Sequence, residues 1–236
     1  DDYIKVFKSN KKGLAGRFKV IGQVLLGLVV ASIMFVHPDI TIRENVDINE
    51  SSPDFIQLDD MQNSNFEFSE EFKSLKTTVP FFKNNQLDYQ TFLIDLNSKS
   101  IWTFLLFGFI VIFIITAVSN SANLTDGIDG LATGSSAIIG ATLGVFCYVS
   151  GNMVFSDYLD IMYIPNISEL VVFISAFIGS CVGFLWYNSY PAQVFMGDTG
   201  SLALGGIIGV VSVLIRKELL IPIFCGIFFI ESLSVI

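Results

Sequence analysis

The chain has 236 residues, of which 52% are hydrophobic and 15% charged, with 23 Phe and a formal net charge of −9. An ordinary soluble domain carries about 45–50% apolar and about 25% charged residues, so the composition excludes that class and points to a polytopic membrane protein. The charge is unevenly spread and carries no argument for a nucleic-acid partner. Cys147, Cys181 and Cys225 all lie in apolar runs and read as small hydrophobes of a bundle. His37 is the single histidine, which leaves no Cys/His metal cluster. The chain opens without Met or a signal peptide and stops within an apolar run, so it is expected to be an internal fragment of a longer protein.

The expected fold is all-α: a polytopic integral membrane helical bundle with an extracytoplasmic insertion. The first part, residues 1–36, joins a mixed acidic and basic motif to the first apolar run at 20–36. Lys5, Lys8, Lys11, Lys12, Arg17 and Lys19 flank that run, and short basic flanks stay in the cytoplasm. The second part, 37–100, is a long acidic segment containing Phe66, Phe68, Phe72, Phe81, Phe82 and Phe92. Linkers are poor in aromatics, so this is expected to be a small extracytoplasmic subdomain. The third part, 101–236, holds five more apolar runs, at 101–118, 134–150, 170–187, 201–215 and 221–236. A transmembrane helix needs about 17–25 residues. The fifth of the six runs is short, and "RKELL" at 216–220 is expected to make a tight outer hairpin into the sixth. Alternation then places 119–133 and 188–200 on the cytoplasmic side with the N-terminal motif.

Three acidic clusters therefore share one membrane surface: Asp1 and Asp2 in "DDYIK", Asp126 and Asp129 in "NLTDGIDG", and Asp198 in "NSYPAQVFMGDTGS". Any one of them alone reads as a capped turn. Asn123 could N-cap the next helix with Asp126 completing a capping-box-like pair, and Asp198 or Ser201 could cap the one after. Three together, the second and third in loops without Lys or Arg, repel unless a cation lies among them. Mg²⁺ suits such a place, because it takes one or two carboxylates completed by water and phosphate oxygens. Helices starting at both loops favour bound phosphate, and the glycines allow close approach. A transporter would instead place its carboxylates near the bilayer midplane.

"DDYIKV" with "KKGLAGRFK", "NLTDGIDGLATG" and "PAQVFMGDTGSLALGG" resemble the polyprenyl-phosphate N-acetylhexosamine-1-phosphate transferase superfamily, and within it the phospho-N-acetylmuramoyl-pentapeptide transferases. The resemblance covers nearly all of the chain outside 37–100. It implies transfer of a phospho-sugar from UDP-N-acetylmuramoyl-pentapeptide to undecaprenyl phosphate in the bacterial plasma membrane, giving lipid I and UMP. Relatives that use UDP-N-acetylglucosamine are the alternative. It further implies Mg²⁺ held by Asp198, catalysis by Asp1, Asp2 and Lys5, and substrate binding by Asn123, Asp126, Asp129, Asn188 and Phe195. Phe195 could equally be an interfacial anchor. Direct attack and a covalent aspartyl intermediate both remain open, direct attack being simpler. A homodimer is among the assemblies the resemblance allows. The family's histidine-rich motif is missing from this chain, and its ten helices are reduced here to six.

Overall fold

Inside a bilayer the backbone must satisfy its own hydrogen bonds, and the apolar runs here do so as helices. The computed structural model describes residues 14–43, 74–79, 86–89 and 101–235. The long helices are α1 (Gly16–Val36), α2 (Ile101–Thr125), α3 (Leu131–Ser150), α5 (Leu170–Asn188) and α6 (Gly197–Leu214). These five are long and apolar enough to cross a membrane. Between α3 and α5 lie the short α4 (Met153–Tyr158) and one 3₁₀ turn. Two short strands, β1 (Lys76–Thr78) and β2 (Gln86–Asp88), pair antiparallel with Lys76 opposite Asp88.

The sixth apolar run is not one straight span. It forms α7 (Ile221–Phe224) and α8 (Gly226–Val235), and with the preceding 3₁₀ turn it bends by 70° at Cys225. Apolar composition shows that such a run is buried or lipid-facing, but not whether it stays straight. The break falls beside Gly226, and helices bend at such residues.

α2 is the centre of the bundle. Its Phe107, Val111, Ile115 and Val118 are buried, and it packs on α1, α6 and α8, while α3 packs chiefly on α5. Lipid tails are as apolar as leucine, so close van der Waals fit rather than hydrophobic exclusion holds such helices together. The α2–α6 seam shows this fit. A Cβ on Gly205 would stand 2.6 Å from both Ser119 Cα and the Val118 carbonyl oxygen. Ser201, Gly205 and Gly209 repeat at every fourth residue along that seam. Large side chains such as Phe109, Phe113, Ile138 and Val172 remain exposed, as lipid-facing positions must.

Two expectations about helix ends need correction. α2 continues through "SNSAN" to Thr125, so only 126–130 separate it from α3, and Asn123 is helical rather than an N-cap. The residue before α3 is Gly130, at φ 76°, with no side-chain cap. Likewise Asp198 lies inside the first turn of α6, and neither it nor Ser201 caps that helix. The polar residues of "SNSAN" lower hydropathy, yet the side chains of Ser119, Asn120 and Asn123 find partners inside the bundle, which lets the helix run on.

"RKELL" does make a tight connection into the sixth run, and its charges are buried there. Arg216, Lys217 and Glu218 are buried, at 2%, 1% and 3% exposure. They pack under the β1–β2 pair at the end of the bundle opposite Asp198.

Candidate active site

The residues of the two short loops meet at one end of the bundle. α2 brings Asn123 to its last turn, and α6 begins at Gly197, whose φ of 67° is left-handed. Asn123 donates from Nδ2 to Asp198 Oδ1 at 3.1 Å and to Ser201 Oγ at 2.8 Å. The Ser201 hydroxyl donates in turn to the Gly197 carbonyl at 3.0 Å. Lys19, from the first turn of α1, forms an ion pair with Asp198. Two helices, α1 and α2, thus each place one side chain on a carboxylate carried by a third, α6.

A polar column fastens the same helices beneath this cluster. Gln23 and Asn120 form a reciprocal amide pair, at 3.0 and 3.3 Å. Gln23 Nε2 also donates to Ser119 Oγ at 3.2 Å, and Ser119 donates to the Leu202 carbonyl at 2.8 Å. Inside the apolar region these bonds have no water to replace them, so they fix α1, α2 and α6 relative to one another.

Asp126 follows α2 directly. Burial, and after it the neighbouring Asp198 carboxylate, raise its carboxyl above the ordinary value. Asp129 accepts at Oδ2 from the Ala192 amide at 3.1 Å. Asn188 is only 3% exposed, and both ends of its amide are engaged. Its Oδ1 accepts from the Gly130 amide and the Thr133 hydroxyl, each at 3.2 Å, and its Nδ2 donates to the Val194 carbonyl at 2.9 Å. Asp129 and Asn188 therefore latch the 126–130 loop to the 189–196 loop. Phe195 is 74% exposed, on the free side of the second loop. Asp1, Asp2 and Lys5 lie outside the described residues.

Lys19 was legible only as one of several flanking charges. The available signal was its i,i+4 spacing to Gln23, two polar residues on one face of an otherwise apolar helix, which marks function more often than topology. Ser201 was read only as a possible helix cap, and the Gln23–Asn120 pair was not singled out by the motifs.

Two apolar grooves run from this end of the bundle along its lipid side. One, about 590 Å³, lies between α1 and α6 and reaches Lys19. The other, about 460 Å³, runs along α2, edged by Val24 of α1 and Ser232 of α8, and reaches Leu124. The N-termini of α3 and α6 also face this end, which favours bound anions. The donor set suits Mg²⁺: two hard carboxylate oxygen groups, Asp198 and Asp126, share one field, and their mutual repulsion would be relieved by a cation. Among the described residues, no three His, Cys, Asp or Glu side chains gather into a ready-made cage. Mg²⁺ sites completed by substrate phosphates need none.

Residues 1–216 match the family model for glycosyl transferase family 4. The chain belongs to that family. This glycosyl transferase family 4 chain is 58% identical to a phospho-N-acetylmuramoyl-pentapeptide-transferase of Flavobacterium psychrophilum, over all of this chain and 57% of the relative. It is 56% identical to the protein of that description from Amoebophilus asiaticus, over all of this chain and 56% of the relative. The corresponding protein of Parabacteroides distasonis is 54% identical, over all of this chain and 54% of the relative. The chain thus spans just over half the length of the curated relatives it matches.

Proposed function

We propose that the protein transfers phospho-N-acetylmuramoyl-pentapeptide from its UDP carrier to undecaprenyl phosphate, releasing UMP. The observation that carries this reading is the Lys19–Asp198–Asn123 cluster, with Asp126 beside it, at the end of apolar grooves that open to the bilayer. A water-soluble nucleotide and a membrane-bound phosphate can meet only at such a boundary. The names of the relatives support it.

The chemistry joins two anionic phosphates. An oxygen of the acceptor phosphate bonds to the sugar-bearing phosphorus, and the bond from that phosphorus to the oxygen of UMP breaks. Asp1, with Asp2 and Lys5 beside it, takes the acceptor's proton or orients its phosphate. Lys19 balances the carboxylates as the phosphates arrive. Asn123 fixes the Asp198 carboxylate, and the Asp129 and Asn188 latches hold both loops at the spacing the diphosphate needs. Phe195 offers its ring to the uracil. Asp198, with Asp126, would hold Mg²⁺, which supplies neutralisation of the diphosphate and of the charge developing on UMP. The basic flank around Lys11, Lys12 and Arg17 supports a site facing the cytoplasm, with the protein in the bacterial inner membrane.

The test is UMP release from the full-length protein in detergent with Mg²⁺ and undecaprenyl phosphate. The muramoyl-pentapeptide nucleotide should support turnover, and UDP-N-acetylglucosamine should not. The reverse preference would assign the protein to the other sugar class.

A further inference from the structure

The end of the bundle away from Asp198 holds a second polar cluster that the proposed chemistry does not use. Tyr89 donates from its hydroxyl to Glu218 Oε1 at 2.8 Å, and both residues are buried. Burial, and after it the Glu218 carboxylate, raise the Tyr89 hydroxyl above its ordinary value, so it stays a donor. Arg216 donates to the Ser74 carbonyl at 3.0 Å. The Arg216 carbonyl accepts from the Thr78 amide at 3.0 Å and from the Thr77 hydroxyl at 3.2 Å. Lys217 donates to Thr78 Oγ1 at 2.6 Å. The Arg216 guanidinium also lies 5.8 Å from the Phe107 ring of α2, and the Lys217 ammonium 5.8 Å from the Phe146 ring of α3.

These bonds clamp the β1–β2 pair onto the turn from which the broken helix departs. Glu218 begins the 3₁₀ turn that runs into α7, and the 70° bend follows at Cys225. Beyond the bend, α8 packs on α2, and its Ser232 edges the groove that runs along α2 past Phe109, Ile112, Thr116 and Asn120 to Leu124, with Val24 of α1 also lining it. Leu124 directly precedes Thr125, the last residue of α2, and Asp126 follows. The clamp therefore sets the root of a helix whose far part shapes a groove ending beside the site. Three consecutive charged residues with almost no exposure are costly to bury, and a plain surface turn would not need them.

We infer that Tyr89 and Glu218 are positioning residues: across the thickness of the membrane, they set the pose of α7–α8 and with it the width of the groove along α2 that receives the acceptor's apolar tail. The kinetic part of this inference rests on the proposed phospho-transfer. The clamp itself rests only on the contacts above.

The test is Tyr89→Phe in the full-length protein, which removes one hydroxyl and no packing volume. Two readouts are taken: the KM for undecaprenyl phosphate, with kcat and the KM for the nucleotide, and hydrogen exchange of the 218–235 backbone. The expected result is an acceptor KM raised about three- to tenfold, as partial loss of one charge-assisted hydrogen bond implies. The nucleotide KM and kcat should stay within about twofold, and exchange in 218–235 should quicken. Unchanged exchange would overturn the clamp. Faster exchange with an unchanged acceptor KM, or with all kinetic constants worsened together, would overturn the link to the groove. Should Tyr89→Phe not accumulate as folded protein, Thr77→Val carries the same expectation through the Arg216 carbonyl. If the wild type transfers no phospho-sugar, the proposed function fails, while the exchange arm still decides the clamp.

Discussion

Asn123 of α2 donates a 3.1 Å hydrogen bond to the Oδ1 of Asp198 in α6, across the seam where Gly205 lets the two backbones meet. That bond, with the Lys19 ion pair, holds a carboxylate at the start of a helix and points it at the solvent end of the bundle. Asp198→Asn keeps the size and shape of the side chain but removes its charge. It should leave expression and folding intact and lower kcat by about 10³-fold or more, since a metal ligand acting in the transition state is worth several kcal/mol. UMP release under saturating Mg²⁺ measures it. Activity within a few-fold of wild type would remove Asp198 from the metal.

Asn188 is a different kind of residue. With its amide engaged at both ends, it ties Gly130, Thr133 and Val194 into one unit. Asn188→Ala leaves buried groups without partners, at about 1–3 kcal/mol for each one that water does not reach. The variant should unfold at lower temperature in detergent and lose kcat through displaced loops. Asn188→Asp keeps the acceptor but sets a carboxylate oxygen against the Val194 carbonyl, so it should fall between the two. A melting temperature equal to wild type for Asn188→Ala would show that the loops hold together without the latch.

The α2–α6 seam gives a purely structural prediction. A Cβ at Gly205 meets backbone atoms at 2.6 Å, whereas one at Gly206 comes no nearer than 3.9 Å to the tip of Leu26. Gly205→Ala should destabilise by about 1–3 kcal/mol, and Gly206→Ala should be close to neutral. Thermal unfolding of the two variants side by side separates them. Equal stabilities would mean that the seam opens without cost.

The Asp126 carboxyl is raised above its ordinary value, by burial first and by Asp198 second. A raised carboxyl binds its proton more tightly in the folded protein than in the unfolded chain. Without a cation, its contribution favours the fold below the ordinary carboxylate range and is lost as the pH rises through the raised value. Mg²⁺ takes the ionised form, so its dependence runs the other way. Protection against heat by Mg²⁺ should be lost as the pH falls through the raised value, nearer to neutrality than an ordinary carboxylate would give. In Asp126→Asn the residual Mg²⁺ protection should persist to lower pH. The same midpoint in both proteins would show that Asp126 does not meet the metal.

The membrane class, the helical runs and the convergence of the 126–129 and 198 carboxylates at one end of the bundle were legible from the amino-acid sequence. Each depends on local facts: an apolar run in lipid must be helical, and runs of about one bilayer thickness must alternate direction. The family was legible too, because its motifs lie in short loops where the residue types themselves carry the chemistry.

Tertiary structure decided what local composition cannot express. Asn123 reads as a turn residue by type, but a serine and a carboxylate on α6 satisfy its amide, so α2 runs past it. Lys19 reads as a topology charge, but the packing of α1 beside α6 makes it the partner of Asp198. Arg216, Lys217 and Glu218 read as a tight outer hairpin, a pattern that does not show their burial; residues more than 120 positions earlier, such as Tyr89, supply the partners that let them be buried. The bend at Cys225 falls within an uninterrupted apolar run, so its hydropathy gives no sign of it. For Asn123, Lys19 and the 216–218 charges the deciding partner is distant in sequence, and burial of a polar group is settled by whether that partner arrives.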